Sequence, residues 1–210
     1  MKMTKQIVLG TIGVAALAAL VSLTPKMNAG IASSPHDLRG QYGISSNAQL
    51  CVFCHTPHNS DTTVSQAPLW NHTVTSFSGY QLYSSPTLNA TMADPAGISK
   101  LCLSCHDGTV AIDAYGGSSG TTNMTGAAKI GTDLRNDHPV SFTYNAALAT
   151  ADGGLVTPNS ASKVDAAGIV PLFSSKLECA SCHDAHDNTY GSFLRMNNAG
   201  SALCLTCHNK

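Results

Sequence analysis

Apolar residues run together only once along this chain, in IVLGTIGVAALAALVSL at residues 7 to 23. Lys2 and Lys5 precede the run, and the small, polar stretch TPKMNAGIASS follows it. A basic start, an apolar middle and small residues near Ala29 or Ala32 predict a secretory signal peptide over 1–29, with cleavage after 32 as the second candidate. Kept in place, the run would be at the short end for a membrane-spanning helix. Beyond it, apolar pieces such as TVAIDAY (109–115) and SFTYNAALA (141–149) are too short to build a sizeable core. Joints such as GGSSGTTN and ADGGLVTPNS separate them. The pattern predicts mostly coil and turns, short helices, few short strands and a need for some centre other than side chains.

Composition sharpens this picture. Charged residues are 11% of the chain, against about 25% in typical proteins. Without Lys2, Lys5 and Lys26 the chain keeps 8 basic and 12 acidic residues, a net charge of −4. No basic patch or run is present, so nucleic acid is not an expected partner. Aromatic residues are only 6%, with Trp70 the single tryptophan. A surface of Ser, Thr, Asn and Gly suits contact with copies of the same chain.

All eight cysteines fall into one pattern used four times: CVFCH at 51–55, CLSCH at 102–106, CASCH at 179–183 and CLTCH at 204–208. Cys-x-x-Cys-His is the attachment pattern of c-type haem. Two thiols three positions apart can add to the two vinyl groups of one haem, and the next residue places an imidazole under the iron. The anchors would be Cys51, Cys54, Cys102, Cys105, Cys179, Cys182, Cys204 and Cys207. Zinc sites, redox dithiols and disulfides are the alternatives for paired cysteines. None of them needs a histidine after every second cysteine. Four heme c groups in one domain of 30–210 would form most of the interior, giving a multihaem c-type cytochrome with a haem-organised core.

Nine histidines are present. His55, His106, His183 and His208 belong to the motifs, and four irons need four more ligands to become six-coordinate. His36, His58, His138 and His186 are the candidates, with His72, in PLWNHT, in reserve. The chain reads twice as an upstream histidine, then CxxCHxxH, then LCLxCH, which suggests duplicated two-haem units over 33–130 and 131–210. His58 lies too close to His55 to reach the far face of the same haem, so its natural target is another haem, and His186 repeats the arrangement. Met92, Met124 and Met196 stand in no repeated relation to the motifs, so bis-histidine ligation is expected throughout. Asp107, Asp184 and Asp187 lie near motif histidines and could orient a ring.

SPHDL, CVFCHTPHN, PLWN, LCLSCHDGTVA, NDHPVSF and LCLTCHNK together resemble the doubled-CxxCH family of exported multihaem cytochromes. In size, haem number and leader the chain is similar to the members that polymerise into extracellular filaments. The resemblance implies bis-histidine haems in one continuous row, an axial histidine from a neighbouring subunit, and an extracellular or outer-surface location, with the periplasm as the alternative. His36, in the N-terminal arm, is the expected boundary-crossing ligand. Redox partner cytochromes or extracellular acceptors would exchange electrons with the polymer. The expectation is an electron carrier and not an enzyme. A reductase or peroxidase would need an open iron, and a quinol-oxidising cytochrome would keep residues 7–23 as an anchor. Three Asn-x-Thr triplets, at Asn71, Asn89 and Asn123, are what chance gives in such a composition, and no acidic loop has calcium spacing.

Overall fold

The structure, a computed structural model, describes residues 30–67 and 69–209. The expected leader at 1–29 lies outside them. The regular elements are short. In chain order they are β1 (Gln81–Leu82), α1 (Gly97–His106), β2 (Asp133–Leu134), β3 (Phe142–Thr143), α2 (Ala146–Asp152), β4 (Lys176–Leu177), α3 (Cys179–Cys182) and α4 (Ala202–Leu205), with 3-10 turns at Gly126–Ala128 and Ala199–Ser201. Turns and bends make up most of the rest, as the scarce periodicity predicts. Among the described residues no helix is long and apolar enough to cross a membrane.

Local chemistry sets the helix limits. The Asn145 side chain accepts the Leu148 amide at 2.9 Å and opens α2. Gly153 closes α2 in the left-handed region at φ +70°. Asp107 and Gly108 end α1 by donating to the carbonyls of Leu103 and Cys105. Gly108 has φ +75°, and a Cβ there would lie 2.6 Å from Lys129 Cε. The positive φ is what favours glycine at that corner, since the lysine side chain could move aside.

The strands form two two-stranded sheets. β1 and β2 run parallel, with Gln81 opposite Asp133 and Leu82 opposite Leu134. β3 and β4 are antiparallel, with Phe142 opposite Leu177. A side-chain core does form around the second pair: Phe142, Tyr144, Val164, Val170, Leu172, Leu177 and Leu203 are all buried together. A smaller cluster of Tyr80, Leu103 and Leu134 sits under the first. The pieces 109–115 and 141–149, expected to be too short for a core, therefore contribute buried residues, Ile112 and Ala114 from one, Phe142 and Tyr144 from the other. Each piece alone covers little, but pairing with 170–177 closes the second one on both sides.

Contacts run freely across the 130/131 boundary. β1 pairs with β2, α1 packs on α3, and the N-terminal arm rests on the C-terminal part, where a Cβ on Gly30 would meet the His186 carbonyl at 2.9 Å. The two halves share one interior.

Candidate functional site

Each motif uses one helical turn. The His55, His183 and His208 amides donate to the first cysteine carbonyl of their own motif, at 2.9, 3.0 and 3.0 Å. This i to i+4 closure puts both thiols on one side of the turn and the imidazole at its end. Motif two lies inside α1, motif three covers α3, and motif four begins within α4. Motif one is a lone turn rather than the expected helix. Ser45, Ser46 and Asn47 before it favour turns, and Pro57 stops propagation just beyond it.

Past the turn, the motif histidines are pinned by backbone pairing with distant segments. Isolated bridges join His55 to Trp70, His183 to Leu194 and His208 to Leu155. The His106 carbonyl instead accepts the Ile130 and Gly131 amides, at 2.8 and 3.1 Å. Each imidazole thus stands on a fixed stretch of backbone although little regular structure surrounds it.

All eight thiols are free of disulfides. Burial pushes the Cys54 thiol up to about 11, Cys105 to about 12 and Cys207 to about 11. Cys102 is also raised, by its hydrogen bond with Cys179 and then by burial. Redox dithiols and zinc ligands work as thiolates and sit where the thiol pKa is lowered. Among the described residues no three His, Cys, Asp or Glu side chains converge as a metal cage would require. Cys179 departs from the raised thiols, its own being lowered by its hydrogen bond with Cys102 and so held opposite to its partner.

The histidines come together in pairs. The His55 and His186 ring centroids are 6.0 Å apart. His36 and His106 are 6.2 Å apart, and His138 and His208 are 6.3 Å apart. Two metal–imidazole bonds of about 2 Å each, with about 1.2 Å from nitrogen to ring centre on both sides, also give about 6 Å. Three pairs therefore stand at the spacing of two axial rings on one iron. Their interplanar angles of 17°, 63° and 75° differ freely, as rotation about an axial bond allows. The Nδ1 atoms of His106, His183 and His138 lie 2.7, 2.7 and 2.9 Å from the carbonyls of Ala128, Ser192 and Pro139. An Nδ1–H donated to a carbonyl fixes the tautomer and leaves Nε2 for metal.

His36 faces inward. Its ring stacks on Phe193 at 4.1 Å and meets His106 of the same chain. The docked arm, rather than a free one, gives it an intrachain partner. His72 is 3% exposed, and its two ring nitrogens lie 2.8 Å from the Thr73 carbonyl and 3.0 Å from the Ala111 carbonyl. The buried ring is held against backbone rather than facing another histidine. His58 is exposed in a cleft of about 570 Å³ with Trp70, Asn71 and Gly116. His183 lines a different, largely apolar cleft of about 200 Å³ with Cys179, Cys182, Leu103 and Met92. Among the described residues no histidine ring faces His183 or His58 at the paired spacing.

Of the three aspartates, Asp184 reaches a candidate ligand, with Oδ1 3.6 Å from His186 Nδ1. Asp107 accepts from the Tyr80 hydroxyl at 2.6 Å and the Thr109 amide at 2.7 Å. Asp187 closes a turn on Thr189. Sequence reasoning passed over Glu178, a buried acid beside Cys179. The visible signal was its place ahead of a motif cysteine where the other motifs have leucine.

The comparison with known families meets this geometry at the C-terminal motifs. Residues 172–210 match the family described as Doubled CXXCH motif. No curated protein matches the chain. The family match supports a multihaem c-type cytochrome-like protein, in which CXXCH motifs indicate covalent haem c binding and electron transfer. The mostly coil architecture with short helices and strands is consistent with it. Haem held by these residues supplies one-electron exchange at iron. The motif cysteines would hold it, and the chain would provide the histidine rings, the carbonyls that orient them and the apolar walls.

Proposed function

We propose that the chain carries electrons through four haems, each between two histidines, and that exported copies join head to tail into an extracellular filament. The observation that carries this reading is the pattern of histidine partners. Eight of the nine histidines are available as ligands once His72 is set aside, and three intrachain pairs use six of them. His58 and His183 remain, one on each of two separate clefts.

The remaining two repeat a contact already present within the chain. His186, the HxxH histidine of the second half, faces His55, the leading motif histidine of the first half. The same contact made onward would bring His58 of one copy to His183 of the next. Such a contact joins two different surfaces, so it propagates and does not close on itself. His58, and not His36, is then the boundary-crossing ligand.

A single chain with an open iron at His183 is the second reading, and it would suit a reductase. Replacing His58 with Ala separates the two. The filament reading expects the variant to load all four haems and remain as short, unpolymerised species by electron microscopy and sedimentation. Filaments of unchanged length would reject it.

A further inference from the structure

The residue ahead of the first motif cysteine is leucine three times, Leu50, Leu101 and Leu203, and glutamate once, Glu178. Leucine there is an ordinary core residue, and Leu101 and Leu203 are buried. Glu178 is buried more deeply still, at 1% exposure. One of its carboxylate oxygens, Oε2, accepts from the Ser99 hydroxyl, from the Ser99 amide at 3.2 Å and from the Ser141 hydroxyl at 2.8 Å. Ser99 is in the first turn of α1, where Ala96 offers no side-chain cap. The carboxylate therefore answers the exposed amides at that helix end. Among the described residues no ion pair includes it. Burying an acid on neutral donors alone is costly, and here the carboxylate also belongs to a capping box with Ser181 at the start of α3, so it serves two helix ends.

Its position gives the charge a target. Glu178 lines the cleft of Cys179, Cys182 and His183. The Cys179 amide donates at 2.9 Å to the same Ser99 hydroxyl that binds the carboxylate. Across that junction α1 packs on α3, which brings Cys102 and Cys179 to the same place. One buried acid thus stands where the anchors of motifs two and three meet.

We propose that Glu178 is a built-in negative charge that lowers the reduction potentials of the haems anchored by motifs two and three. The ferric state carries one more positive charge than the ferrous state, so a fixed anion in a low-dielectric junction favours ferric iron. The inference rests on the haem-loading reading above. Its effect is a bias among the four groups: the haems of motifs two and three hold electrons less tightly than those of motifs one and four.

The test is a redox titration of the loaded protein followed by haem absorbance, on wild type, Glu178→Gln and Glu178→Asp. Glutamine keeps hydrogen-bonding atoms and removes the charge. The expected result is an upward shift of part of the titration by about tenfold in the reduction equilibrium, which is about 59 mV for one electron. Aspartate, which keeps the charge, stays near wild type, whereas a merely structural role would make the shortened side chain the more damaging one. An unshifted Glu178→Gln curve in a fully loaded protein overturns the inference and leaves the electron-carrier reading standing. Wild-type protein without covalent haem overturns both. Should Glu178→Gln fail to accumulate, wild type alone decides the matter by NMR of the haem methyl groups through the titration. The haems of motifs two and three must titrate below those of motifs one and four, and the reverse order rejects the inference.

Discussion

Carbon monoxide counts open irons, and the histidine pairing fixes the count. Three of the four motif histidines have a second ring 6.0 to 6.3 Å away within the chain, and His183 has none at that spacing among the described residues. A dispersed monomer, reduced and exposed to carbon monoxide, should therefore bind one molecule per four haems. Replacing His138 with Ala removes the ring 6.3 Å from His208 and raises this to two per four. The haem content should not change, because two thioether bonds hold each group whether or not its distal ligand is present. A polymerised sample should bind none, since each His183 iron would receive the His58 ring of the next copy. The assay is a carbon monoxide difference spectrum divided by total haem from the pyridine haemochrome. Equal binding by wild type and His138→Ala would refute the pairing. No binding by monomeric wild type would place another ligand on the His183 iron. Met92 and His138 are the suspects, as both line the same cleft. That outcome would remove the argument for a shared ligand between copies.

Three further outcomes follow from single features. The Tyr144 hydroxyl is held by the carbonyls of Val156 at 2.8 Å and Cys207 at 3.2 Å inside the larger core, so Tyr144→Phe should cost about 1–2 kcal/mol in urea unfolding with haem content unchanged. An unaltered midpoint would mean that hydroxyl is not bonded as described. Burial holds the His72 pKa below its ordinary 6.5, so the fold keeps that ring neutral. Its stabilising contribution is complete above pH 6.5 and is lost as pH falls toward the lower folded value. Urea midpoints between pH 7 and 5 should drop more steeply in wild type than in His72→Gln, and parallel curves would contradict this. Replacing Cys51 and Cys54 together by Ala should loosen the whole fold and not just one redox centre; a compact, protease-resistant product would reject the haem-organised interior.

The chemistry was legible in the sequence and the pairing was not. The motif spacing gave every anchor position, and the turn at each motif follows from it. Nothing along the chain states that His55 meets His186 rather than its own neighbour, because that contact depends on the bend of the whole backbone. One regularity was available: His36 to His106 and His138 to His208 both span 70 residues (106 − 36 and 208 − 138). Equal spans in two otherwise unequal halves point to equivalent partners. Within the chain His36 turns inward, because Phe193, far off in sequence, offers its ring a stacking face. The sequence marks His72 as a spare ligand, and only the positions of the Thr73 and Ala111 carbonyls show that the fold buries its ring against backbone. The small core around Phe142 and Tyr144 escaped notice because its strands are two residues long and rely on partners outside their own period.

The facing of His55 by His186 also sets a timetable. The two residues are separated by 131 positions (186 − 55), and joining such distant points carries the entropy of a long loop. A chain arriving outside the membrane amino end first would present its first motif long before the matching ring emerges. During that interval the iron bound there would stand with one face bare, open to peroxide and to stray ligands. Maturation would be complete only when the last quarter of the chain arrives, so early proteolysis or premature release would leave a reactive fragment in place of a quiet carrier. Long-range closure of this kind makes the fold slow to complete.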